Sequence, residues 1–201
     1  MKIKQKKINP PKAYKNLGFL NSKDARPIRI LSEFLEPLSR FKYFGVKDTI
    51  VFFGSARIIS LKDANKKLSI AKKKIKMQKK VSDVAQHEFE LAQHAVSMSR
   101  YYEDAVELAR SVTEWSQSLS EKNRLLICSG GGPGIMEAAN KGAKLANGHS
   151  IGLNISIPFE QFVNKYVDPE LAFEFHYFFM RKFWFIYLAK VLVAFPGGFG
   201  T

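Results

Sequence analysis

The sequence has a single cysteine, Cys128, and no long uninterrupted apolar run. Cys128 lies in a segment predicted to be a buried strand, so no intrachain disulfide can form and nothing points to an oxidising compartment. The longest apolar run, residues 183–195, contains Lys190 and is shorter than the ~20 residues that a membrane-spanning helix needs. The basic N-terminus is not followed by the apolar segment of a secretory signal. We therefore expect a cytoplasmic protein without membrane contact.

Acidic residues are scarce in the two segments that carry the net charge. Residues 1–16 contain six lysines and no acid, and residues 62–80 contain nine lysines against Asp63 alone, which together account for the formal charge of +14. We interpret the first segment as a mobile arm and the second as a solvated helix face, because like charges without apolar partners stay in water. Nucleic acid is therefore not an expected partner, although contact of residues 72–74 with RNA stays open.

Apolar spacing divides the rest of the chain into helical and strand-like parts. Residues 1–48 are predicted to form a basic arm and an outer helix, which Pro37 kinks or splits. Residues 49–201 are predicted to form the main domain, with a helical insertion at residues 61–120. Within this insertion, apolar residues recur every three or four positions over residues 81–119. This spacing predicts one very long helix or a helical pair.

Five short apolar segments predict the strands of the main domain. They lie at residues 49–53, 125–128, 149–155, 173–177 and 191–195, and a helix at residues 180–190 is expected before the last one. The order βα, βα, β, βα, β predicts an α/β protein with a Rossmann-like, doubly wound parallel sheet and an N-terminal helical extension. Ligands of such sheets bind at the carboxyl ends of the strands.

Three glycine turns follow predicted strands. The central one, Ser-Gly-Gly-Gly-Pro-Gly-Ile-Met-Glu at residues 129–137, precedes a helix, and the others are Gly-Ser-Ala-Arg at residues 54–57 and Pro-Gly-Gly-Phe-Gly-Thr at residues 196–201. Glycine lets the backbone approach an anion closely, and the first turn of a helix offers free N–H groups. We expect one phosphate-bearing ligand between the turns. The candidate contacts in the first two turns are Gly54, Ser55, Arg57, Gly131, Gly132, Gly134 and Met136.

The central and last glycine turns, together with Met180-Arg181-Lys182 between them, resemble the LOG ("Lonely Guy") family. These Rossmann-like proteins were long labelled lysine decarboxylases, and they include cytokinin riboside 5′-monophosphate phosphoribohydrolases and AMP nucleosidases. The resemblance covers roughly residues 49–201. It implies hydrolysis of the N-glycosidic bond of AMP or of an N6-modified relative, giving free base and ribose 5-phosphate. It implies no cofactor or metal, and it implies a homo-oligomer, a dimer or larger.

The resemblance also implies roles for individual residues. Arg181 would be catalytic and Lys182 would contact the substrate. Glu160 lies in a loop where family members carry a substrate-binding glutamate. The residues implied to hold the phosphate are Gly197, Gly198, Gly200 and Thr201.

The family carboxylate, the glutamate of Pro-Gly-Gly-x-Gly-Thr-x-x-Glu, falls three residues beyond Thr201, the last residue of the sequence. Departure of the base leaves an oxocarbenium-like ribose that needs a nearby carboxylate and a positioned water. We therefore expect this sequence to be a fragment that binds nucleotide weakly and hydrolyses it little or not at all. Turnover equal to that of a longer version would refute this expectation.

Several other residues are open to two interpretations. Glu137 is either a ligand contact or a carboxylate stabilised by its helix dipole, and His176 either contacts a ligand or is structural. The aromatic residues at positions 183–187 stack on a base or belong to the core or a subunit interface. His87 and His94 share a helix face without cysteine or clustered carboxylates, so a metal site is not expected.

Two other functions stay open. The first is a nucleotide-sensing or nucleic-acid-associated Rossmann module without catalysis, suggested by the glycine turns and the basic extension. The second is lysine decarboxylation with pyridoxal phosphate, which only the old family label suggests, because no lysine lies in a recognisable motif for that cofactor. Release of free adenine from AMP would separate the hydrolase from the first alternative.

Overall fold

The computed structural model describes residues 9–78, 81–156 and 162–198. Their regular elements include five strands and seven α-helices. In chain order these are α1 (Leu17–Leu20), α2 (Arg26–Tyr43), β1 (Asp48–Phe53), α3 (Leu61–Met77), α4 (Asp83–Met98), α5 (Arg100–Ser118), β2 (Leu125–Ser129), α6 (Ile135–Leu145), β3 (Ser150–Ile155), β4 (Ala172–Phe175), α7 (Phe178–Tyr187) and β5 (Ala189–Ala194).

The five strands form one parallel sheet in the order β4-β3-β2-β1-β5. Helices α2 and α7 pack on one face, where Trp184 and Phe175 are buried, and α5 and α6 pack on the other, where Phe52 and Ala139 are buried. The predicted α/β, Rossmann-like, doubly wound sheet is confirmed. No helix in the described ranges is long and apolar enough to cross a bilayer.

The insertion between β1 and β2 consists of three helices. Ser82 caps α4 by accepting a hydrogen bond from the N–H of Ala85 at 3.3 Å. The segment predicted as one long helix or a pair is divided at Ser99, whose hydroxyl donates to the carbonyl of Val96 at 2.7 Å. Such local side-chain bonding competes with the helix ladder. Helix α2 continues through Pro37 without a break.

Three predicted boundaries at α7 and the strand before it are wrong by two or three residues. The fourth strand ends at Phe175 rather than at residue 177, because the carboxylate of Glu33 on α2 accepts the N–H groups of His176 and Tyr177 at 2.8 and 3.2 Å. Those bonds cap α7, which begins at Phe178, two residues earlier than predicted. The helix also ends earlier, at Tyr187, because Ala189 already pairs with Thr49 in the sheet.

Strand β1 lies at the centre of the topology. The chain places β2 on one side of β1, builds outward to β4, and then returns with β5 on the other side of β1. Doubly wound sheets open a crevice at such a reversal, outside the carboxyl ends of the two strands. The carboxyl ends of β1 and β5 therefore define the edge at which a ligand is expected.

Candidate functional site

Three loops leave the sheet at this edge. Loop A is residues 54–57 after β1, loop B is residues 130–134 between β2 and α6, and loop C is residues 195–198 after β5. Because all five strands are parallel, their carboxyl ends meet at the same edge of the sheet. The loops are the described parts of the three glycine turns found in the sequence.

Loops A and B are joined by backbone contact. The N–H of Ile135, the first residue of α6, donates to the carbonyl of Ser55 at 3.1 Å. Gly134 has a φ of +73°, and a Cβ there would overlap the carbonyl oxygen of Ser55. A Cβ on Gly54 would come within 2.5 Å of the Ile135 side chain. Both glycines are therefore needed for two loops to lie in contact.

Loop A also contacts loop C. The N–H of Ser55 donates to the carbonyl of Pro196 at 3.1 Å, and the N–H of Phe195 donates to the carbonyl of Phe53 at 2.8 Å. The hydroxyl of Ser55 accepts from the N–H of Arg57 at 3.1 Å, which closes loop A on itself. Loop A thus lies between the other two and fixes their separation.

Arg181 on α7 reaches over loop B. Its Nε donates to the carbonyl of Leu153 in β3 at 2.6 Å, and its Nη2 lies 2.5 Å from the position that a Cβ on Gly130 would occupy. Among the described residues, no carboxylate forms an ion pair with this guanidinium. Burial lowers the pKa of Arg181, while nearby Cys128 acts in the opposite direction. Arginine nevertheless stays cationic in proteins, so the site holds a partly buried positive charge.

Met136 and Cys128 complete the surroundings of that charge. The sulfur of Met136 lies 2.6 Å from the Cβ position of Gly130, so that glycine leaves room for both the thioether and the guanidinium. Cys128 is buried at the end of β2, and burial raises the pKa of its thiol. A protonated, inaccessible thiol is a poor nucleophile. Cys128 is therefore a packing residue beneath the arginine.

Glu137, in the first turn of α6, is engaged by a neighbouring helix. The hydroxyl of Tyr102 on α5 donates to its carboxylate at 3.1 Å. Burial and this carboxylate both raise the pKa of Tyr102, so the phenol stays protonated at neutral pH. This hydrogen bond ties α5 to the start of α6, in line with the structural interpretation of Glu137.

Two candidates from the sequence lie apart from these contacts. The ammonium of Lys182 lies over the ring of Phe178 at 4.8 Å, and the lysine is exposed. The imidazole of His176 is exposed and packs edge-on against Tyr177, with ring centroids 4.8 Å apart. The structure shows no contact of either side chain with the three loops.

The aromatic residues of α7 are divided between core and surface. Trp184 and Phe185 are buried, and the indole of Trp184 donates to the carbonyl of Glu33 at 2.9 Å. Phe183 and Tyr187 stack on each other at the surface with centroids 4.9 Å apart. The core interpretation therefore holds for the two buried rings, and neither surface ring contacts the loops.

Loop C is the most open part of the site. Gly197 and Gly198 are exposed, and a Cβ on Gly198 would meet no atom within 4 Å. The remaining residues implied by the family resemblance, Glu160, Gly200 and Thr201, lie outside the described residues.

A polar network below loop B includes residues that the sequence analysis missed. Asn140 on α6 is fully buried, and its side-chain oxygen accepts from the hydroxyl of Ser129 at 2.7 Å and from the amide of Asn164 at 2.9 Å. The amide of Asn164 also donates to the carbonyls of Gly131 and Gly132 at 3.0 and 3.1 Å. The one signal of this network in the sequence was Asn140, a polar residue beside the alanines of α6.

The comparison with family models agrees with the motifs. Residues 136–201 match the family described as "Possible lysine decarboxylase", the label that the LOG proteins long carried. This match supports the resemblance to the LOG family over the C-terminal part of the chain.

The other comparisons add little detail. No curated protein matches the chain. One solved structure that matches is titled as the X-ray structure of TM1055, a structural genomics target, with 21% sequence identity and a TM-score of 0.41. The alignment covers 75% of this chain and 61% of that chain, so this chain spans less than two thirds of its length.

Proposed function

We propose that loops A, B and C bind a purine nucleoside 5′-monophosphate, AMP or an N6-modified relative, and that the reaction is hydrolysis of its N-glycosidic bond. In this reaction the bond between C1′ of the ribose and the base nitrogen breaks, and its electron pair leaves with the base. Water supplies the hydroxyl at C1′ and the proton that the base takes up. The products are free base and ribose 5-phosphate.

The observation that carries this proposal is the guanidinium of Arg181. No carboxylate among the described residues pairs with this partly buried cation, which costs free energy in the folded protein, and an anionic ligand would compensate that cost. Its position over Gly130 brings the charge to the mouth of a glycine loop, and such loops bind phosphates. An arginine and backbone amides at one edge of a sheet suit an anion better than a neutral ligand.

Different groups of the chain would have different roles in binding the ligand and stabilising charge. The first-turn N–H groups of Met136 and Glu137 have no acceptor within their helix and, with the dipole of α6, would hold an anion. The open backbone at Gly198 leaves space for a ligand close to loop C. The family resemblance assigns the carboxylate that supports the oxocarbenium-like ribose to a glutamate beyond Thr201. Arg181 and the loops would supply binding, orientation and charge stabilisation.

Calorimetric titration of the chain with AMP and with adenosine tests the proposal. We expect AMP to bind at least tenfold more tightly than adenosine, since each charge-assisted hydrogen bond contributes about 1.5–3 kcal/mol and 1.4 kcal/mol corresponds to a factor of ten. Equal affinity for the two ligands, or no binding of either, would contradict it. A longer version that carries the family glutamate should then release adenine from AMP.

A second candidate function is a nucleotide-binding module that does not hydrolyse its ligand. It is favoured by the carboxylate of Glu137, which the hydroxyl of Tyr102 engages at 3.1 Å. This acid beside loop B is thus already occupied by a structural contact. Tight binding of AMP without release of adenine, even by the longer version, would select this alternative.

A further inference from the structure

Loop B is held from below by a closed ring of hydrogen bonds. The N–H of Gly131 donates to the hydroxyl of Ser129 at 3.0 Å, and that hydroxyl donates to Asn140 at 2.7 Å. The amide of Asn164 donates to the same oxygen of Asn140 at 2.9 Å and to the carbonyl of Gly131 at 3.0 Å. The ring therefore starts and ends on Gly131.

Asn164 contributes more to this ring than any other side chain. Its backbone N–H also donates to the carbonyl of Gly131, at 2.7 Å, and its amide reaches the carbonyl of Gly132 at 3.1 Å. Its own side-chain oxygen accepts from the N–H of Tyr166 at 3.1 Å, which fixes the orientation of the amide. The carbonyls of Gly131 and Gly132 thus face one asparagine.

The direction of these carbonyls determines where the loop can present its donors. In a trans peptide the C=O and the following N–H point in opposite directions. Since the carbonyl of Gly131 faces Asn164, the N–H of Gly132 points to the opposite side of the loop. The N–H of Gly131 is already bonded to Ser129, so its direction is fixed as well.

Packing alone does not fix the loop in this shape. Gly131 has a φ of +71°, a region where glycine moves freely to other conformations. A Cβ on Gly131 would lie 3.3 Å from the Cα of Gly152 and 3.5 Å from Val163, so the chain passes close beneath it. The directional bonds from Asn164 are what select one peptide orientation among those that fit.

We propose that Asn164 is a positioning residue that sets the shape of loop B before the nucleotide binds. This inference rests on the proposed function, because it assumes that loop B contacts the phosphate. Asn164 itself would not touch the ligand. Removal of its side chain would leave the fold and the backbone bond to Gly131 in place and would delete the amide bonds to Gly131, Gly132 and Asn140. The loop would then be looser, so affinity for the phosphate would fall while affinity for the nucleoside would not.

Two measurements on Asn164→Ala, with Asn123→Ala as matched control, test this role. Asn123 is an exposed asparagine in a short turn at residues 121–123, away from the loop. We expect Asn164→Ala to bind AMP about tenfold more weakly and adenosine unchanged, since a lost hydrogen bond of about 1 kcal/mol or slightly more is close to a factor of ten. The amide of Gly131 should exchange with solvent at least tenfold faster. Asn123→Ala should change neither quantity.

Each outcome separates the role of Asn164 from the function of the site. If the Gly131 amide exchanges at the same rate in Asn164→Ala as in the parent, the proposal is overturned, whatever the affinity for AMP. If exchange is faster but the affinity for AMP is unchanged, the proposed effect of loop shape on nucleotide binding is overturned. Equal loss of AMP and adenosine affinity would indicate general disruption and also overturn it. If the parent chain does not prefer AMP over adenosine, the proposed function fails, and exchange still decides whether Asn164 sets the loop.

A second variant covers the case in which Asn164→Ala does not fold. Asn164→Asp keeps the side-chain size and the oxygen that accepts from Tyr166, and it removes the amide donor. Its readout is exchange at Gly131 alone, because the new charge would itself repel a phosphate. Faster exchange supports the proposal, and unchanged exchange contradicts it.

Discussion

Arg181→Met is expected to remove most nucleotide affinity and to leave the fold about as stable as before. Methionine keeps much of the apolar stem and deletes the charge, so one or two charge-assisted bonds to the ligand are lost, which corresponds to roughly 10–150-fold in Kd. In the free protein, loss of the bond to the carbonyl of Leu153 is offset by removal of a partly buried cation that no carboxylate in the described part of the chain pairs with. Titration with AMP and thermal unfolding measure the two effects.

Lys182→Met is the matched control for this variant. Lys182 is the next residue of the same helix, is exposed, and lies over the ring of Phe178. Because successive helical residues point about 100° apart, the two cations face different surroundings. AMP affinity should change less than threefold in Lys182→Met. If Arg181→Met binds AMP with an affinity within twofold of the parent, Arg181 does not contribute to the nucleotide site.

Gly134→Ala should cost far more stability than Gly45→Ala. Both glycines have positive φ, +73° and +65°, so both substitutions strain the backbone, and Gly134 with its ψ of −133° lies outside the left-handed helical region that other residues sometimes adopt. A Cβ on Gly45 meets nothing within 4 Å, whereas one on Gly134 would overlap the backbone of loop A at Ser55 and Ala56. We therefore expect more than about 3 kcal/mol for Gly134→Ala, because the two loops must separate.

Urea unfolding of the two variants measures this difference in the free energy of unfolding. Gly45→Ala measures the cost of a positive φ in open space, so the additional loss in Gly134→Ala reports the close approach of loops A and B together with the ψ of Gly134. Equal losses in the two variants would mean that the loops are not in contact at Gly134. Loop A would then no longer fix the separation of the other two loops.

The glycine loops and the strands before them could be predicted because their signals are local. A short β-branched or apolar run followed by glycine and a helix-forming segment is readable within about a dozen residues. Gly54, Gly134 and Gly198 were singled out in this way. The structure then shows a reason that the sequence did not: the first two glycines permit contact with a neighbouring loop.

The features that the sequence did not predict depend on long-range partners. The start of α7 is set by Glu33, which is more than 140 positions away from His176 and Tyr177 in sequence. The ring below loop B joins Asn164 to Gly131 and Asn140, which belong to different elements. Single-residue propensities contain no information about such contacts, since tertiary partners decide them.

The direction of side chains within α7 was a further point that local patterns left open. Arg181 and Lys182 were grouped as neighbours in one motif. The structure places the guanidinium over Gly130 and the ammonium over Phe178. The substrate contact that the family resemblance implies for Lys182 stays a prediction, and a loss of AMP affinity well above threefold in Lys182→Met would support it over the position seen here.

The central claim is that loops A, B and C form one nucleotide site, and amide chemical shifts during titration with AMP test it most directly. We predict that the backbone amides of the non-proline residues in 54–57, 130–137 and 195–198 shift together along a single binding curve. Amides of α3 and α4, which lie in the insertion, should not move. Shifts confined to one loop, or centred on the lysines of α3, would contradict the claim.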